Sequence, residues 1–412
     1  MTTHTTDERG IETLPGGMRV IMRPSSVNSI VSIALFMPLP GAIVAPAEAG
    51  LVRFLHKMLL RGTTTRSAAE LNEAIEALGT SISSSDTDDY SQASMVCTSD
   101  TLAESVELLA DVVLNPSFEP EEIEKERQVT LAAIRRDDDD RFSLTLRRFA
   151  RELYGGHGYG LPARGLPETV REFRRDQLVE LHQAAVDPST MLAVCVGDFD
   201  PDAARELLMA HFPPRGAAGE PFHVVPPAPV PPARVRFSRD SEQAFLAMGF
   251  RACAAGAEDA PAVRVLNGVL GEGMSSRFFT RLRDEQGLAY ATGCALTTHL
   301  HAGHMVGYIG TKPATLDTAR EGMAELFAAI RREPVTAEEL ERTRNYIIGK
   351  FLIDHQTNLR RAFYLGHYET MGLGMERDER LPALIGAVTA EQVMEAANRY
   401  LHEPTIVELL PE

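Results

Sequence analysis

Apolar residues recur every three or four positions between residues 98 and 134, where Leu102, Val106, Leu109 and Val113 fall on one stripe. That period predicts a helix. A break follows at Asn115-Pro116-Ser117-Phe118-Glu119-Pro120, and a second helix is predicted over 121–136. The same order returns over 311–351: a stripe of Leu316, Ala319, Met323, Leu326 and Ile330, a break around Pro334, then a helix over 337–351. Even the polar residues correspond, since Glu-Glu-Ile-Glu-Lys-Glu-Arg at 121–127 answers Glu-Glu-Leu-Glu-Arg-Thr-Arg at 338–344. Shorter β-branched runs predict strands over 18–22, 30–36, 90–97 and 191–197, and again over 243–249, 289–297 and 303–311. Two long copies of one pattern indicate a duplicated unit rather than a solenoid. Each half is predicted to be α+β, a mainly antiparallel sheet with helices packed on one face.

Prolines crowd the stretch 213–232, near the middle of the chain. Proline removes backbone donors and favours extended chain, so this reads as a linker. The expected division is an N-terminal domain over 1–214, a linker over 215–233 and a C-terminal domain over 234–412. A chain of 412 residues is long enough for two full cores. No apolar run is long enough to cross a bilayer, and no secretory signal opens the sequence, so a cytoplasmic location is expected. The net charge of −17 argues against nucleic acid and anionic membranes as partners. Cys97, Cys195, Cys253 and Cys294 form no C-x-x-C pair and lie among small or apolar residues, which predicts buried free thiols.

The chemistry concentrates in two segments. Residues 50–63 read Gly-Leu-Val-Arg-Phe-Leu-His-Lys-Met-Leu-Leu-Arg-Gly-Thr, within a helix predicted over 47–60. Leu51, Phe54, Leu55 and Met58 form its buried side, with Arg53, His56 and Lys57 off that stripe or at its rim. The frame resembles that of the insulinase-type (M16) metallopeptidase family, which usually reads G-x-x-H-F-L-E-H-M-x-x-x-G-T. In the inverted zinc motif H-x-x-E-H, two histidines four apart bind zinc from one helix face and the glutamate serves the metal-bound water. Here the three positions hold Arg53, His56 and Lys57. Arginine has no lone pair to give a cation, and lysine would have to lose a proton beside it. The family's third ligand is a glutamate from a later helix, in a pattern like E-x-x-x-x-x-x-E. Glu126 matches the earlier glutamate and Ala133 takes the ligand position. The resemblance therefore implies a degenerate zinc site and no metal in this chain. Glu126 is expected to pair with a cation of the Arg127 or Arg53 kind, or to be a plain surface position.

The second segment, 271–294, contains Gly-Met-Ser-Ser-Arg at 273–277 and Gly-Leu-Ala-Tyr at 287–290. On residue type alone Arg283 reads as a surface ion-pairing residue and Tyr290 as a packed strand residue. The segment is similar to the M16 C-terminal pattern G-M-S-S-R-L-F-x-x-L-R-x-x-x-G-L-x-Y, and the resemblance makes Arg283 and Tyr290 its arginine–tyrosine pair. A tyrosine hydroxyl can donate to a developing oxyanion, and a guanidinium fork can hold a peptide carbonyl or carboxylate. Ser275, Ser276 and Arg277 read as helix-starting residues.

Three other clusters read as structural. His299, His301 and His304 lack an accompanying carboxylate or cysteine and read as a solvated strand end. Asp137–Asp140 lacks the glycine and spaced glutamate of a calcium loop and reads as a solvated helix end. The glycines at 155–160 lack the spacing of a phosphate loop.

What the resemblance implies is the non-catalytic, substrate-binding subunit of a two-subunit zinc peptidase. Its partner, an M16 subunit with an intact motif, would hold the zinc in a heterodimer. This chain would supply Arg283, Tyr290 and half of a closed chamber for unfolded peptides. A structural assembly subunit without a peptidase role and a stand-alone peptide-binding homodimer are the two other expectations.

Overall fold

The computed structural model describes residues 5–7, 10–215 and 222–412, so part of the expected linker, 216–221, lies outside the described residues. The strands are β1 (Thr5–Thr6), β2 (Glu12–Thr13), β3 (Arg19–Pro24), β4 (Ile30–Met37), β5 (Ser81–Asp86), β6 (Ser91–Thr98), β7 (Leu192–Gly197), β8 (Arg234–Arg239), β9 (Ala244–Ala252), β10 (Ala291–Thr298), β11 (Gly303–Thr311) and β12 (Thr405–Pro411). They form a seven-stranded sheet ordered β1-β2-β3-β7-β4-β6-β5 and a five-stranded sheet ordered β10-β11-β9-β12-β8.

The duplication is visible strand by strand. Reading β3-β7-β4-β6-β5 against β8-β12-β9-β11-β10 gives the same order. In each sheet the first of these pairings is parallel, β3 with β7 and β8 with β12, and the others are antiparallel. The α+β architecture with mainly antiparallel sheets is therefore as the sequence predicts.

In the first unit the alternating residues Val31, Ile33, Leu35 and Met37 of β4 enter a core completed by the helices Leu51–Leu59 and Leu102–Leu114. In the second, Leu246, Met248 and Phe250 of β9 do the same against the helices Ala260–Gly271 and Leu316–Arg332. One helix also covers the opposite face of each sheet. In the first unit it is Asn358–Thr370, where a Cβ on Gly366 would fall 1.9 Å from the Phe36 ring. In the second it is Arg141–Tyr154, whose Phe149 ring lies 2.6 Å from where a Cβ on Gly249 would stand.

These covering helices cross the sequence halves. The first unit comprises the described residues of Met1–Ile134 with Pro162–Val224 and Asp354–Asp378; the second comprises Arg135–Leu161, Val225–Ile353 and Glu379–Glu412. One change of unit, after Val224, falls in the proline-rich segment. The other changes exchange two segments, 135–161 and 354–378, for which a contiguous division into 1–214 and 234–412 does not provide. Among the described residues no helix is long and apolar enough to cross a membrane. All four cysteines are free and buried, and burial pushes the Cys195 thiol up to about 12.

Candidate functional site

The motif helix, Leu51–Leu59, starts at Gly50, whose φ of +91° belongs to the left-handed region. A Cβ there would lie 2.5 Å from the Gly165 amide, so glycine lets the backbone of 164–165 close on the helix start. Arg53 turns toward the end of β5. Its Nε donates to Asp86 Oδ1 at 2.8 Å and its Nη2 to the Asp86 carbonyl at 3.3 Å. The Asp86 side chain is 5% exposed, so this carboxylate is matched by one half-buried guanidinium.

His56 departs from the expected rim position, being 2% exposed and fully inside the packing. Its Nδ1 lies 2.6 Å from Ser84 Oγ and its Nε2 lies 2.7 Å from Ser91 Oγ. The Ser91 hydroxyl donates to the Leu39 carbonyl at 2.6 Å, so it must accept from His56 Nε2–H. Nδ1 then accepts from Ser84, which fixes one neutral tautomer. Burial, with Arg53 second, pushes the imidazole down to about 3. The correction has a simple cause: serine hydroxyls on β5 and β6 satisfy both ring nitrogens, and a satisfied neutral histidine can be buried. Lys57, the next residue, is exposed and has no ion pair among the described residues.

Glu126 lies on the helix Pro120–Asp139 with its side chain 5% exposed, so it is no surface position. Its partner is neither Arg53 nor Arg127 but Arg61, whose Nη2 donates to Oε2 at 2.6 Å. Thr130 donates to the other oxygen at 3.2 Å. Arg127 instead ties Glu124 at 2.9 Å and donates to the carbonyls of Val170, Arg171 and Phe173. Ala133 is buried. The positions that the resemblance assigns to zinc thus carry a guanidinium bound to Asp86, an ammonium and a methyl group, and the base position carries a histidine with both nitrogens used. This donor set does not fit zinc. Asp86 and Arg61 are the site residues that the sequence reading missed.

Arg283 lies on a π-helix, Phe279–Glu285, an uncommon geometry that recurs at functional sites. The segment is anchored from below. Leu282 and Phe278 are buried, and Arg277 grips Glu339 with two bonds of 3.0 Å. Ser276 donates to the Gly273 carbonyl at 2.8 Å, so Ser276 and Arg277 build the segment, as expected. The Arg283 guanidinium is exposed and stacks 4.6 Å over the Phe279 ring. It makes no ion pair among the described residues. Tyr290 is 71% exposed at the entry to β10, held by its backbone bond to Gly310 at 3.2 Å. Neither residue is a packed or ion-paired structural element.

The histidine cluster differs from its expectation. Only His301 is exposed. His299 is 5% exposed and stacks on Tyr159, with ring centres 4.0 Å apart. His304 Nδ1 meets the Tyr154 hydroxyl at 3.2 Å, and burial pushes it down to about 3. Tyr154, from the helix Arg141–Tyr154, and Tyr159, in the turn that follows it, supply the aromatic cover that the local sequence did not reveal. In the acidic run, Asp140 caps that helix by accepting from the amides of Phe142 and Ser143. The glycine segment is a turn in which His157 Nδ1 accepts from the Tyr159 amide at 3.1 Å.

Residues 19–162 match the family described as insulinase (peptidase family M16), and residues 172–347 match the peptidase M16 inactive domain. An uncharacterized zinc protease of Mycobacterium tuberculosis is 28% identical over 401 residues, covering 94% of this chain and 90% of its own. An uncharacterized zinc protease of Bacillus subtilis is 24% identical over 411 residues, covering 97% of each. Among solved structures, a peptidase M16 inactive domain from Pseudomonas fluorescens superimposes with a TM-score of 0.89 at 20% identity, covering 100% of this chain and 98% of that one. A protease from Helicobacter pylori gives 0.89 at 18% identity, covering 100% of both.

Proposed function

This chain belongs to the insulinase-type M16 peptidase family, and from that membership we propose that it is the non-catalytic, substrate-binding subunit of a two-subunit zinc peptidase. The observation that carries the reading is a contrast between two segments. Of the four positions that correspond to ligands and base, three have been rebuilt as packed or ion-paired structure, through Arg53–Asp86, His56 between two serines, and buried Ala133, and Lys57 stays exposed. Arg283 and Tyr290 are exposed, and their polar groups are free of ion pairs and side-chain hydrogen bonds among the described residues. Arg283, on an anchored π-helix, and Tyr290, just before β10, are held at the surface by backbone and apolar contacts, which leaves both polar groups available to a ligand.

In this reading the partner subunit carries the intact motif and the zinc, and hydrolysis takes place on a peptide bound there. Tyr290 donates its hydroxyl proton as a hydrogen bond to the oxyanion developing at the attacked carbonyl. Arg283 holds a neighbouring carbonyl with its planar fork. Strand β5 ends its sheet and pairs only with β6 among the described residues, which leaves an edge to which an extended peptide can add. Such an edge accepts unfolded chains, in keeping with a closed chamber for unfolded peptides.

The test is reconstitution with the zinc-bearing subunit. Tyr290→Phe and Arg283→Ala should each lower kcat/KM of the complex about 10- to 1000-fold, without weakening its assembly. Unchanged cleavage in the double variant would sink the reading and favour a purely structural subunit.

A further inference from the structure

The row Arg53, Lys57 and Arg61 follows one side of the motif helix into the turn beyond it, at successive spacings of four. Its outer members are both committed. Arg53 is held by Asp86 and Arg61 by Glu126, and each carboxylate side chain is 5% exposed. Each pair is close to neutral as a unit. Lys57 stands between them, exposed and without a partner among the described residues. His56 beside it is held neutral by burial. The row therefore presents one net positive charge, flanked by two guanidinium groups that buried carboxylates hold in place.

We propose that this row is a carboxylate-binding site, in which Lys57 takes the carboxylate of a bound peptide. The inference rests on the peptide-binding reading above and narrows its substrate class. The motif helix lies along β5: Arg53 meets Asp86 at the strand end and His56 meets Ser84 two residues earlier. A segment added to the open edge of β5 runs beside the helix that carries Lys57. The Lys57 ammonium has three donors to offer. Arg53 and Arg61 each keep one terminal nitrogen, Nη1, without a bond among the described residues, while their Nε and Nη2 serve Asp86 and Glu126. The acceptor that suits such a set is a monovalent oxyanion on an extended backbone, which means either a free C-terminus or an Asp or Glu side chain. A dication would be repelled.

The experiment uses the full chain and fluorescently labelled unfolded peptides of one sequence, followed by anisotropy. One pair differs in a free or amidated C-terminus, and a second amidated pair differs in Glu or Gln at an internal position. The carboxylate member of at least one pair should bind about fivefold or more tighter at low salt, and the pair that discriminates identifies the source. Lys57→Gln should bring that carboxylate peptide down to the affinity of its neutral twin, while Lys57→Arg keeps the preference. Equal binding within both pairs, or a preference that survives Lys57→Gln, overturns this site and leaves the peptide-binding reading standing. Failure of all four peptides to bind, alone and in the reconstituted complex, overturns both.

Discussion

At Arg53 a single exchange shows what replaced a metal-binding residue. Its guanidinium is the cationic partner of Asp86, whose side chain is almost wholly buried. Removing one member of such a pair leaves a buried charge uncompensated. Arg53→Ala is expected to lower stability by ~2–3 kcal/mol, read as a shifted urea midpoint with an unchanged slope. A cost near zero would mean that Asp86 is solvated without Arg53. Much of this scale was legible in the sequence. The chemistry of arginine and lysine was enough to read a degenerate motif. The partners were not legible. Glu126 pairs with Arg61, which is 65 residues away, and His56 is held by serines 28 and 35 residues away. Helical periodicity reports which side of one helix is apolar. It carries no information about the hydroxyls that a strand brings against a polar position.

At the scale of elements, packing places glycine where helices and backbone approach most closely. A Cβ at Gly366 would overlap the Phe36 ring, on the sheet face covered by the helix Asn358–Thr370. Gly366→Ala should cost ~1–3 kcal/mol through forced displacement of that helix, whereas Gly349→Ala, where an added Cβ would meet nothing within 4 Å beyond its own helix backbone and chain neighbours, should be neutral or slightly stabilising. Thermal unfolding of the two variants distinguishes these outcomes, and equal midpoints would argue that the covering helix moves freely. The repeat was readable because both copies keep the same apolar stripes and breaks. Which sheet a helix covers was not readable, because an amphipathic stripe such as that of 141–154 specifies an apolar surface and not whose surface it is.

For the whole molecule, acid sensitivity follows from histidines that fold while neutral. Burial pushes His56 and His304 down to about 3, and His182 and His367 down to about 4, from an ordinary value near 6.5. Between those values the unfolded chain binds protons that the folded chain refuses, so stability falls as pH drops below 6.5 and is unaffected by these groups above it. One unit below 6.5, each costs roughly 1.4 kcal/mol. Urea midpoints should therefore decline steeply from pH 7 to 5.5, and His304→Phe should flatten that decline by one histidine's share. A flat profile would show that these rings stay hydrated. The exchanged segments carry a different consequence, one about cutting the chain. A polypeptide ending at the proline-rich segment would keep the helix Arg141–Tyr154 without the Gly249 strand that it covers, and would leave the Phe36 face of its own sheet bare. Severance there would therefore uncover apolar surface on both fragments.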